Sequence, residues 1–149
     1  MMTTPEQIRS YASLERGWDS YDAEPPTQDV VNKAVGFDWY LRQFGLSPRC
    51  VNPSVVGGIG FTFGKRPNYV YVEVRNTGSM NAAFTANGKT HVIAVRQDET
   101  GYADLVAKIR GHMSTAPAIA NSKRHYPHDA DMYLVGLATI AVLAARQNG

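Results

Sequence analysis

The chain has 149 residues, a length that suits one domain able to bury about two thirds of its unfolded surface. Apolar residues make up 44% and charged residues 19%, which excludes a disordered chain. The net charge of +2 is too small to argue for nucleic acid, whose binders concentrate many Lys and Arg on one face.

The N-terminus, Met1-Met2-Thr3-Thr4-Pro5-Glu6, has no basic region followed by an apolar run, so no secretory signal is expected. The single cysteine, Cys50, cannot form an internal disulfide, and a reducing cytoplasm is the expected location. At a strand start Cys50 reads as a small buried hydrophobe rather than a nucleophile.

Thr4 to Glu15 reads as a short helix, with Pro5 at its first position and Thr4 as its cap. A connector follows, Arg16-Gly17-Trp18-Asp19-Ser20-Tyr21-Asp22-Ala23-Glu24-Pro25-Pro26, read as a rigid packed turn. Pro25-Pro26 forbids a helix through it, and Thr27 caps the next one. From Thr27 to Phe44, the residues Val30, Ala34, Phe37, Leu41 and Phe44 alternate spacings of four and three and so share a helix face. Trp39 and Tyr40 fall off that stripe, and Gly45 ends the helix.

The middle is strand-rich. A short strand is expected around Arg49 to Val51, and Ile59-Gly60-Phe61-Thr62-Phe63 alternates with period two. After the Lys65-Arg66-Pro67-Asn68 turn, Tyr69 to Arg75 puts Val70, Val72 and Val74 on one face. Tyr69, Tyr71, Glu73 and Arg75 take the other. Met80 to Ala86 and Lys89 to Gln97 flank Asn87-Gly88, a hairpin turn signal because both turn residues need positive φ. Thr100 to Met113 reads as a helix with Tyr102, Leu105, Val106, Ile109 and Met113 on one face. A long loop over 114–128 and a C-terminal helix over 129–147 complete one domain whose core is 1–113. The expected fold is α+β: an antiparallel meander of about four strands packed on two N-terminal and two C-terminal helices. The longest apolar run, Met132 to Ala145, has 14 residues, short of the roughly 20 that span a bilayer, so no membrane partner is expected.

Four segments could carry chemistry. His125, His128, Asp129 and Asp131 have metal-ligating side chains within seven residues, with His91 or His112 as a further ligand. Pro127 keeps His125 and His128 off one helix face, and the simpler reading is that Asp129 or His128 caps the last helix. Lys123 and Arg124 stand beside a helix start that could hold phosphate, though Asp129 and Asp131 already occupy its positive end. Val56-Gly57-Gly58-Ile59-Gly60 lacks the Gly-Lys-Ser/Thr of a nucleotide-binding loop and reads as a bulged strand entry. Tyr69, Tyr71 and Arg75, with Lys65-Arg66 nearby and Phe61 across, are the residue types that stack single-stranded bases, but a covered or ordinary exposed sheet face is the preferred reading. Asp19, Asp22 and Glu24 read as turn carboxylates that accept backbone hydrogen bonds.

Gly17-Trp18-Asp19-Ser20-Tyr21-Asp22-Ala23-Glu24-Pro25, the following helix, and then Pro53 and Gly57-Gly58-Ile59 resemble a loose group of small uncharacterised bacterial and mobile-element proteins. In that group a Gly-Trp-Asp-Gly-Tyr-x-Ala segment precedes a helix, and a Pro leads through Gly-Gly-Ile into a strand meander. The likeness runs to about Arg75. This chain departs from it at Ser20, where Gly is common, and at Phe61-Thr62-Phe63, where an acid followed by Trp is usual. The resemblance implies kinship without an activity.

These readings converge on a non-enzymatic accessory factor, inhibitor or antitoxin-like, that binds another protein through a surface containing Trp18, Tyr21, Tyr69, Tyr71, Arg75, Lys123 and Arg124. No cofactor is expected, and self-association would run through the C-terminal helix. A metal- or phosphate-dependent hydrolase or nuclease at His125 to Asp131 is the first alternative, and a weak single-strand binder the second.

Overall fold

The computed structural model describes residues 4–114. Within them the fold is α+β, a five-stranded antiparallel sheet with three α-helices. Helix α1 spans Thr4–Ser10 and runs into a 3-10 turn at Tyr11–Ser13; α2 spans Gln28–Gln43 and α3 Glu99–Ser114. The strands are β1 Cys50–Ser54, β2 Gly58–Lys65, β3 Asn68–Arg75, β4 Met80–Ala86 and β5 Lys89–Ala94, in the sheet order β1-β2-β3-β4-β5. The sheet therefore has five strands where about four are expected from the sequence. The fifth is the short one foreseen near Arg49, extended to Ser54 by its pairing with β2. Beyond Ser114, the loop expected over 114–128 and the helix expected over 129–147 lie outside the described residues.

Thr27 caps α2 as its spacing suggests, accepting from the Val30 N–H. At the other end the Leu46 N–H reaches the Leu41 carbonyl and the Gly45 N–H that of Arg42, the paired bonds of a Schellman cap. The alternation read in β3 holds. Val70, Val72 and Val74 face α2 and α3 in one core with Ile59, Phe61, Phe63, Phe37, Leu41, Leu105 and Ile109. Phe61 packs edge-on against Phe37 at 5.0 Å. It thus lies on the helix-covered face and not across from Tyr69 and Tyr71, because its register partner is Val72. Tyr11 ties the N-terminal segment to this layer, its hydroxyl donating to the Val51 carbonyl at 2.7 Å. Burial there pushes the Tyr11 phenol up to about 12.

The buried face of α2 includes two residues that the periodicity does not announce, Val31 and Asp38. Asp38 is buried, paired with Arg42 one turn on at 3.0 Å, and burial raises its carboxyl above the ordinary value. Phe44, the last residue of the stripe, is exposed and stacks on Tyr40 instead.

Candidate functional site

The connector between α1 and α2 is built by local hydrogen bonds around two unusual backbone positions. Gly17 has φ +79, and a Cβ there would stand 2.8 Å from the Tyr21 carbonyl oxygen, so only glycine fits. Its N–H bonds the Ala23 carbonyl at 2.9 Å, closing the loop on itself. Ser20 also takes positive φ, +71, where a side chain is strained. Asp19 Oδ1 accepts from the N–H groups of Tyr21 (2.9 Å) and Ala23 (3.3 Å), as expected of a turn carboxylate. Trp18 Nε1 donates to the Glu24 carbonyl at 3.1 Å, and Arg16 bridges Asp22 and Glu24.

The loop is also fastened to the sheet. Glu24 forms a parallel bridge with Val56. The Asn76 side chain accepts from the Thr27 N–H at 3.0 Å and donates to the Pro25 carbonyl at 2.9 Å. Ala23 and Pro26 are buried against this support. On the loop, Tyr21 projects outward with 83% of its surface exposed, while Trp18 is half-buried. Val55 and Val56, on the turn that Glu24 bridges, are exposed as well. Sequence reasoning selected Trp18 and Tyr21; it missed Val55, Val56 and Asn76, which come to the loop only through tertiary pairing.

Tyr69 and Tyr71 share the opposite face of the sheet with Glu73 and Arg75, as read from the alternation, and both rings are buried. Base stacking needs exposed ring faces, which these two do not offer. Tyr71 forms a second small cluster with Ala83 and Val92. Glu73, 1% exposed, accepts a hydrogen bond from the Ser54 hydroxyl and faces Arg75 Nε at 3.9 Å. Burial holds its carboxyl above the ordinary value, against the opposing pull of Ser54 and Arg75. Among the described residues, its Oε2 meets no hydrogen-bond donor.

The metal and phosphate candidates Lys123, Arg124, His125, His128, Asp129 and Asp131 lie outside the described residues. Of the proposed further ligands, His91 is exposed on β5. His112 donates from Nε2 to the Thr85 carbonyl at 2.8 Å and packs against Phe84. A nitrogen used in that way carries a proton rather than a metal. Among the described residues no group of three or more His, Cys, Asp or Glu is placed to hold a metal ion. Cys50 opens β1 and is half-buried. Among the described residues no helix is long and apolar enough to cross a membrane. Comparison with protein-family models, with curated proteins and with solved structures finds no match for this chain.

Proposed function

We propose that this chain is a protein-binding accessory factor, inhibitor or antitoxin-like in mode, whose recognition element is the Trp18 connector. The observation that carries the reading is Tyr21, 83% exposed on a loop whose backbone is fixed from within and from the sheet. Tyrosine is enriched among residues that dominate interface energies, because it buries a large rigid surface at small entropic cost. A loop already held in one conformation has less freedom to lose on binding, and the surplus appears as affinity. Val55 and Val56 extend the apolar surface beside it, and Asp22 and Glu24, with Arg16, supply a polar rim.

The test is affinity capture of the tagged full chain from its native cells, run in parallel with Tyr21→Ala and read by mass spectrometry. A stoichiometric protein retained by the parent and lost by the variant supports the reading. Equal capture by both, or no protein partner at all, removes it.

A further inference from the structure

Among the described residues, strand β5 is an edge of the sheet, pairing with β4 on one side only. The Val95 N–H bonds the Met80 carbonyl at 2.8 Å. In an antiparallel ladder such bonds alternate along the strand, so Lys89, His91 and Ile93 also turn their peptide groups toward β4. Thr90, Val92 and Ala94 therefore point theirs outward. An unpaired row of this kind is a template for another strand.

Beside that edge runs a groove of about 300 Å³ between the end of β5 and the first turns of α3. Its floor is Ile93, Val95 and Leu105, and Thr100, Asp104 and Lys108 stand exposed along it. The start of α3 is held tightly to the strand end: a Cβ at Gly101 would lie 1.9 Å from the Arg96 carbonyl oxygen. Ile93 and Val95 belong to the helix-side face of the sheet. A strand added to β5 would set alternate side chains on that same face, over the groove.

We propose that β5 and α3 form a strand-addition site for an extended peptide segment of a partner protein. One apolar side chain of the segment enters the groove, and one acid, four residues away, meets Lys89. The apolar choice follows from the floor. The acid follows from charge. Arg96 and Lys108 are already paired with Asp98 and Asp104, whereas Lys89 has no ion pair among the described residues. Lys89 and Ile93 lie on one face four residues apart, which sets the spacing. A second copy of the chain is the poorer occupant, because β5, Lys-Thr-His-Val-Ile-Ala, contains no acid to offer Lys89. Peptide addition to a sheet edge takes affinity from main-chain bonds and specificity from pockets for alternate side chains, and both elements are present here.

The site stands apart from the Tyr21 loop and does not depend on it. Selection of a random peptide display library on the full chain tests it. The expected peptides share an apolar residue and an acid four apart. Val92→Pro is expected to weaken them about tenfold or more, since it removes an outward N–H while leaving the bonds to β4 in place. Lys89→Glu is expected to weaken them as well. In the unmodified chain, bound peptide is expected to slow amide exchange at Thr90, Val92 and Ala94 and leave His91 and Ile93 unchanged, a readout that stands even if the proline variant does not fold. The proposal is overturned by a library that yields no binder, by peptides indifferent to Val92→Pro, or by protection elsewhere. Self-association in sedimentation that Val92→Pro abolishes would equally overturn it in favour of a second copy. None of these failures touches Tyr21-dependent capture of a native partner, so the two readings fall separately.

Discussion

The hydroxyl of Tyr71 occupies the place that a side chain at position 60 would need: a Cβ on Gly60 would lie 2.1 Å from it. The two residues sit on neighbouring strands, Gly60 opposite Glu73 and Tyr71 opposite Thr62, so the ring leans across β2 into the space left by the glycine. Two further ring atoms, Cε2 and Cζ, stand 2.5 Å from the same point.

Gly60→Ala is therefore expected to destabilise the fold by about 2–3 kcal/mol, the usual cost of forcing extra volume into a packed interior. Tyr71→Phe removes only the hydroxyl and should relieve part of the overlap. Tyr71→Ala should relieve it nearly all, so the Gly60→Ala and Tyr71→Ala losses should be strongly non-additive in urea unfolding. Additive losses would show that the ring moves aside freely.

Ser20 carries a positive φ of +71 in the middle of the connector. An L-residue pays roughly 1–2 kcal/mol in that region, which glycine avoids at some cost in unfolded-chain entropy. Ser20→Gly is expected to raise stability by up to about 1 kcal/mol, and Ser20→Val to lower it, as read by thermal melting. A loss of stability with glycine would mean that the connector backbone differs from the one described.

The legible parts of this fold are those where local pattern and tertiary environment agree. Val70, Val72 and Val74 alternate with Tyr69, Tyr71 and Glu73, and both sets fall on the faces that period-two geometry assigns. Asn87-Gly88 fixed the β4–β5 hairpin because that turn needs positive φ at both residues, and both have it. Asp38 was illegible because a carboxylate inside an apolar stripe carries no periodic signal of its own. Asn76 was illegible for another reason: its amide joins Pro25 and Thr27, about fifty residues away in sequence. The candidate loop was visible as a motif through Gly17, Trp18 and Asp19, but its exposed neighbours Val55 and Val56 reach it only through the Glu24 bridge.

Glu73 and Asp38 give stability a definite pH dependence. Burial raises both carboxyls above their unfolded values, which for Glu73 is about 4.5. Between the unfolded and folded values the native state holds more protons than the unfolded chain, so stability falls as pH rises through that window. This is opposite in sign to an ion-paired surface carboxylate. Glu73→Gln keeps an acceptor for Ser54 and removes the titration. Its stability relative to the parent should improve as pH rises above about 4.5, and the difference should close toward the acid end. Urea unfolding across that range measures it, and a difference that widens toward acid would reverse the assignment. Asp38→Asn should change the slope in the same direction, and the two effects should add if the sites are independent.

Trp18 and Tyr21 stand three residues apart in the connector and should respond to substitution in opposite ways. Trp18 is half-buried and donates to the Glu24 carbonyl, so Trp18→Phe loses a hydrogen bond that closes the loop. That change is expected to cost about 1 kcal/mol of stability. Tyr21 is almost wholly exposed, and its backbone N–H, not its side chain, makes the bond to Asp19. Tyr21→Ala should therefore leave the melting temperature within the narrow range of ordinary surface changes, about 0.5 kcal/mol. The proposed recognition role rests on this side chain, which is exposed on a loop with two positive-φ positions. Tyr21→Ala should then abolish partner capture with the fold intact, while Trp18→Phe should weaken capture only in proportion to the loosening of the loop. A Tyr21→Ala protein that melts well below the parent would make the residue a structural support and withdraw it from the interface.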